Sequence, residues 1–476
     1  MSKVPSISTA KRRIGSVTGI LFYQGQRRRF AWSLNLDRTE IVNCYAKRNW
    51  RSVLTRVRSG TLDSANGEAA HDPACPYGWG VGILAAALYL AQLCTPFRLT
   101  SDAIDYLSFA DSALRNGGLN TLLVAPFRFP KGYAVFAFVL MKSGLFSSAT
   151  MIAANLVFFA IGLALSFRTL IALGFQRNRA LIACLLTLLS FTAVKHITQG
   201  MSDFLFFAVA SCVGWLITVR SAYRWAGIAA ATLCAIETRF IGIALLAPLL
   251  VAAWPQLRKR QMVLLILGSG TLLLLAVGLW TGRHYLLGNI GLLRGYGLWQ
   301  FVARAVHAHS QDFAELIFNM PFSKLPASWS VLLLPAGAVA LSLFVTGIFV
   351  MRTRRQWLFA YLLAYTALVL PWPFTDPRFW LPVMPFVFLA TGEGIAFVSG
   401  RAPKPAVVTP YAVAFCLLGC VALGYSTWLT FSGARFPERY GDGLLRTTYV
   451  ANCSAASPDA NERALELLRH YAWRCQ

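Results

Sequence analysis

Asp102 and Asp105 stand three residues apart, just beyond the first long apolar run, and that spacing puts both carboxylates on one helical face. Tyr106 and Phe109 follow closely. Two close carboxylates can hold a divalent cation, or one can raise the pKa of the other so that it works as a general base. The competing reading is structural: Asp102 caps the N-terminus of a helix. A cap alone gives no reason for a second acid beside it at the edge of an apolar run.

Four cations have the placement to meet an anion. Arg239 stands with Glu237 between two apolar runs, where charge is costly in lipid and points to function. Its structural alternative is a Glu237–Arg239 pair that holds a helix break. Arg378 begins another run, and the guanidinium fork suits bidentate phosphate binding. Lys195 and His196 end a third run, where side chains snorkelling to an interface would look the same. Asp203 reads as a helix cap. His307 and His309 lack metal-ligand spacing and read as loop features, although an amphipathic pattern runs from about Trp299 to Phe318.

The elements that carry these residues are apolar. Of 476 residues, 57% are hydrophobic and 13% charged, against roughly a quarter charged in soluble domains. Runs near the 20 residues that cross ~30 Å of hydrocarbon recur along the chain, which sets aside a soluble α/β enzyme. The expected fold is an all-α transmembrane bundle of about eleven spans: 78–97, 148–167, 180–194, 201–219, 225–236, 240–254, 263–281, 329–351, 357–373, 380–399 and 407–430. Residues 132–146 are apolar but short, and are expected to lie along the outer interface.

Charge orients this bundle. Residues 1–60 hold 13 Lys and Arg against Asp37 and Glu40, and read with 61–77 as a mostly disordered cytoplasmic arm with local helix at 41–58. The links bearing Arg177/Arg179, Arg220/Arg224, Arg258 to Arg260, Arg352/Arg354/Arg355 and Arg401/Lys404 fall on the same side as the arm. That is the positive-inside pattern, and it accounts for the net charge of +25 through membrane lipid rather than nucleic acid. The N-terminus is then inside, and the tail 431–476 outside with Asp102, Arg239 and Arg378. The tail is expected to carry a helix near 459–473 and a Cys453–Cys475 disulfide suited to an oxidising compartment.

Several motifs, taken in order, resemble the GT-C glycosyltransferases, which include protein O-mannosyltransferases and bacterial lipid A aminoarabinose transferases. Asp102-x3-Tyr106-x3-Ala110-x3-Leu114-x2-Gly117 resembles the first outer loop of that superfamily. Phe129-Pro130-Lys131-Gly132-Tyr133 is similar to its Pro-rich lead into an interfacial helix, and Arg177-Asn178-Arg179-Ala180 to its basic turn. Met201-Ser202-Asp203-Phe204-Leu205-Phe206, Thr238-Arg239-Phe240-Ile241-Gly242 and Asp376-Pro377-Arg378-Phe379-Trp380-Leu381-Pro382 resemble three further segments. Together they cover about 300 residues.

The resemblance implies a membrane glycosyltransferase that takes a sugar from a polyprenyl-phosphate donor on the outer face, in a bacterial cytoplasmic membrane. It makes Asp102 the catalytic base, with Asp105 as the accompanying acid. Tyr106, Lys131, Lys195, His196, Arg239 and Arg378 become substrate-binding candidates. The chain carries Ala103 where many members carry Glu, which leaves a divalent cation an open question. The acceptor is a hydroxyl of a lipid, glycan or protein. A transporter or flippase for a lipid-linked or anionic solute is the alternative, and it would place charges mid-helix and often show an internal repeat. A scaffold for envelope assembly would leave Asp102 and Arg239 without a task.

Overall fold

The computed structural model describes residues 18–21, 30–33, 85–94 and 100–431, the last except for 126, 128, 220–222, 258–296, 323–324, 373 and 402–404. The expected helix at 41–58, span at 263–281, tail helix and Cys453–Cys475 bridge lie outside the described residues. The chain divides into two units, Met1–Gly78 and Trp79–Gln476. In the first, β1 (Thr18–Leu21) pairs antiparallel with β2 (Phe30–Ser33), Thr18 opposite Ser33. Thr, Ile, Phe and Trp in these strands are residues that favour a pleated surface.

The second unit is helical. In chain order it contains α1 (Ser101–Arg115), α2 (Leu119–Val124), α3 (Gly132–Lys142), α4 (Ser148–Ala172), α5 (Arg177–Leu188), α6 (Phe191–His196) and α7 (Asp203–Thr218). There follow α8 (Arg224–Thr238), α9 (Leu246–Leu257), α10 (Leu298–Phe318), α11 (Ser330–Val350), α12 (Gln356–Val369), α13 (Met384–Ser399) and α14 (Pro405–Phe431). Turns of 3-10 helix at Phe240–Leu245 and Pro377–Val383 lead into α9 and α13.

Among the described residues, four helices are long and apolar enough to cross a membrane: Ser148–Ala172, Ser330–Val350, Pro377–Ser399 and Ala406–Trp428. Their outward residues are apolar too, with Val157 and Ile161 on α4, Val331 and Val339 on α11, and Leu417 and Val421 on α14 all exposed. An exposed apolar face on an apolar helix is a surface for lipid. These features describe a multi-pass membrane protein.

Among the described residues, the expected eleven spans are not found at full length. The runs expected at 201–219 and 357–373 are the shorter apolar helices Asp203–Thr218 and Gln356–Val369, and within the runs at 78–97 and 240–254 the described residues include the apolar helices Ala85–Cys94 and Phe240–Ala253. The run at 225–236 is a helix of 15 residues. The run at 180–194 is broken: α5 stops at Leu188, and the Ser190 hydroxyl caps α6 by accepting the Ala193 N–H at 3.1 Å. Polar residues inside apolar runs divide them, and the freed backbone groups must find partners in neighbouring helices.

Asn319 meets that need at the α5–α6 break. It ends α10 with a left-handed backbone (φ 54°), a conformation Asn tolerates better than most residues. Its Nδ2 donates to the carbonyls of Leu189 (3.0 Å) and Phe415 (2.8 Å), while its Oδ1 accepts from Phe191 N (2.5 Å). One side chain therefore ties α10 and α14 to the break.

Close packing of α11 and α13 orders the centre. A Cβ on Gly347 would strike the Ala390 carbonyl, and one on Gly394 would strike that of Leu343. Small residues that let backbones touch are a usual route to helix association in membranes. Above this contact, fully buried Trp380 is packed among Phe313, Phe344 and Tyr365, with ring centroids 5.0, 5.7 and 6.4 Å away. Trp380 therefore fixes the Pro377–Val383 turn against α10, α11 and α12.

Candidate functional site

α1 begins beside that turn. Thr100 caps it, the hydroxyl accepting the Ala103 N–H at 3.1 Å and also lying 2.9 Å from Met201 Sδ. Asp102 is therefore not the cap, and the capping alternative is removed. Its carboxylate points across to the Pro377–Val383 turn, where Oδ2 accepts from Arg378 Nη2 at 3.1 Å.

Asp376 shapes the Arg378 side chain. Its Oδ1 accepts the Arg378 backbone N–H at 3.3 Å, starting the turn with Pro377 at the first position, where a missing N–H costs nothing. Its Oδ2 takes Arg378 Nε at 2.5 Å, and Nη1 lies 3.4 Å from Met201 Sδ. One guanidinium thus joins α1, the segment before α7 and the start of α13.

Arg239 stands at the break between α8 and the Phe240–Leu245 turn. Its carboxylate partner is Asp203, through Nη1 and Oδ1. Asp203 is fully buried, and Ser202, the residue at the N-cap position, makes no capping bond. The expectation that Asp203 caps a helix is therefore also corrected. Both helix dipoles favour the pair: Asp203 lies in the first turn of α7, Arg239 at the end of α8. Oδ2 of Asp203 has no hydrogen-bond partner, so the pair leaves an acceptor unused in a dry place.

The two guanidiniums meet at Phe379, whose ring centroid lies 5.1 Å from Cζ of Arg239 and 5.6 Å from Cζ of Arg378. Tyr106 completes the group. It is buried against Phe127, Phe129 and Tyr133, with centroids 5.8, 5.2 and 5.3 Å away. Burial pushes its phenol up to about 12, against the lowering influence of Arg239, Ser202 and Arg378. Tyr106 therefore stays a neutral hydroxyl with both cations close to it.

Asp102, Tyr106, Arg239 and Arg378 come together; the remaining candidates have other neighbours. Lys131 donates to the Leu123 carbonyl at 2.5 Å and feels the charge of Glu237. Lys195 faces Glu315, and buried His196 shares a 2.6 Å hydrogen bond with Gln199. Asp105 is half-buried on α1, three residues beyond Asp102. Among the described residues no three His, Cys, Asp or Glu side chains are grouped to hold a metal ion. With Arg378 on the Asp102 carboxylate, this donor set does not fit a divalent cation.

The sequence reading missed a second buried pair. His309 is helical rather than in a loop, and its Nδ1 lies 3.2 Å from Asp312 Oδ2, both residues at most 1% exposed. Burial pushes the Asp312 carboxyl up to about 6, with His309 lowering it and the charge of Asp376 raising it. Burial likewise pushes Glu315 up to about 7, opposed by the Phe322 N–H and by Lys195. The i, i+3 spacing within an amphipathic helix was the available signal for the His309–Asp312 pair.

No protein-family model, no curated protein and no solved structure matches this chain.

Proposed function

We propose that the chain is a GT-C-type membrane glycosyltransferase, moving a sugar from a polyprenyl-phosphate donor to an acceptor hydroxyl at the outer face of a bacterial cytoplasmic membrane. The observation that carries this reading is the convergence of Asp102, Tyr106, Arg239 and Arg378 from three segments at one helix-end cluster. A transporter site would set such charges at mid-helix. Here they lie in the first two turns of α1, at the end of α8 and in the turn that leads into α13.

The proposed reaction needs a proton acceptor, cations for phosphate oxygens and exclusion of water. In the resting protein Arg378 holds Asp102. The arriving phosphate diester takes over the guanidinium, since Arg binds phosphate oxygens bidentately, and this frees the carboxylate. Asp102 then accepts the proton of the acceptor hydroxyl as its oxygen bonds to the anomeric carbon. The bond between that carbon and the phosphate oxygen breaks, and polyprenyl phosphate leaves as the anion held by Arg378. Tyr106 donates its hydroxyl hydrogen to the same charge, and Arg239, already paired with Asp203, adds field. In this scheme the shorter helices pack among the four long ones with the N-terminus inside, and the protein serves the cell envelope.

Binding of polyprenyl monophosphate to the purified protein tests the phosphate assignment. Arg378→Ala should lose binding at least tenfold, with Arg378→Lys recovering part of it, because an ammonium replaces charge but not the fork. Unchanged affinity in Arg378→Ala would overturn the donor reading.

A further inference from the structure

A cavity of about 270 Å³ opens at the far end of α13 from Arg378, lined by Phe175, Arg179, Arg354, Arg355 and Glu393 among others. It sits between the α4–α5 turn, the α11–α12 turn and the last turns of α13. Arg355 is held in place: Cζ lies 3.6 Å from the Phe175 ring centroid, Nε donates to the Leu173 carbonyl at 3.4 Å, and Nη1 is 3.6 Å from Glu393 Oε1. Arg179 Nη1 is 3.9 Å from the same oxygen. Arg354 has no carboxylate partner among the described residues. Three guanidiniums against one carboxylate leave a surplus charge of +2 around the cavity.

Two helices add to that field. α5, of 12 residues, and α12, of 14, both start here, with Gln176 and Arg355 at their N-cap positions and no side-chain cap on either. Their first N–H groups and positive dipole ends face an anion site favourably. Glu393 does not saturate the arginines. Its 3.6 and 3.9 Å contacts are longer than the ~2.7–2.9 Å of a charge-assisted hydrogen bond, so donors remain for another acceptor. The volume falls just below the roughly 300–1,000 Å³ of drug-sized pockets, which suits a headgroup.

We propose that this cavity binds the phosphate of an anionic phospholipid headgroup at the cytoplasmic face, a site separate from the Asp102 cluster. The basic turns that line it are those the positive-inside rule places in the cytoplasm, where anionic lipid is recognised by basic pockets between membrane helices. Phe349, Phe397 and Val398, on the last turns of α11 and α13, are exposed and give acyl chains an apolar surface that a free anion would not use. The inference rests on the membrane orientation and not on the transferase reading.

Native mass spectrometry and thermal melting of the detergent-purified protein, with phosphatidylglycerol, phosphatidylcholine or inorganic phosphate added, test it. Wild type should retain one phosphatidylglycerol that phosphatidylcholine does not replace, with a rise in Tm. The Arg179→Gln/Arg354→Gln double variant should lose that lipid and the rise while keeping the lipid-free Tm of wild type. Arg168→Gln, an exposed arginine on α4 outside the cavity, should keep both. Equal retention in the double variant, or equal loss in Arg168→Gln, overturns the site. A Tm rise from inorganic phosphate alone matching that from phosphatidylglycerol overturns the lipid assignment in favour of a free anion.

Discussion

Two aspartates separate chemistry from architecture in this molecule. Asp102 is relieved of capping by Thr100, and its carboxylate stands a quarter exposed against Arg378. Asn at that position keeps the size and the bond to Arg378 but accepts no proton. Asp102→Asn should therefore fold normally, with melting within a few degrees of wild type, and transfer sugar at least 100-fold more slowly; transfer within tenfold of wild type would return Asp102 to a structural role. Asp203 is the opposite case. Removing it leaves the Arg239 charge buried and unpaired, which costs about 3–5 kcal/mol. Asp203→Ala should lower stability by that much in a denaturant or thermal titration, and Asp203→Ala/Arg239→Met should regain most of it. Were the single variant as stable as wild type, the pair would have no structural weight. Asp102, Arg239 and Arg378 were legible in the sequence because charge beside apolar runs stands out. Their partners were not, since Arg378 and Asp102 lie 276 residues apart and Arg239 and Asp203 lie 36 apart.

α10 shows how an element can be read correctly in outline and misread in purpose. Its amphipathic period was plain from Trp299 to Phe318, and the helix runs from Leu298 to Phe318. What the period could not show is that its buried face carries acids. Folding raises Glu315 from 4.5 to about 7, so the native state holds a proton that the unfolded chain gives up at lower pH. Stability from this group is therefore full below about pH 4.5 and declines as pH rises towards 7; Asp312, at about 6, acts in the same direction. Glu315→Gln should flatten the fall in Tm between pH 5 and pH 8 and raise Tm at pH 8 by several degrees. An unchanged slope would place the titration elsewhere. The α5–α6 break was equally hidden, because nothing in an apolar run announces that Ser190 will cap a new helix and that Asn319 will satisfy the freed carbonyl of Leu189.

For the whole molecule, hydropathy gave the multi-pass character and not the number of spans. Four helices match long runs, while Ser190 divides the run at 180–194 into shorter pieces that depend on neighbours for their backbone partners. Hydropathy sums over a window and is blind to a polar residue that ends a helix within it. If the basic links set the orientation we propose, a reporter that fluoresces only in the cytoplasm should stay dark when fused after Gln476 and shine when fused before Met1. Bright signal at the C-terminus would mean an odd error in the crossings. The transferase reading itself is met most directly by the lipids of a strain lacking this protein. Lipid extracts from that strain should accumulate a polyprenyl-phosphate sugar, which wild-type protein clears and the Asp102→Asn variant, expressed to the same level, does not. A lipid profile identical to that of the parent strain, or full clearance by Asp102→Asn, would contradict the account.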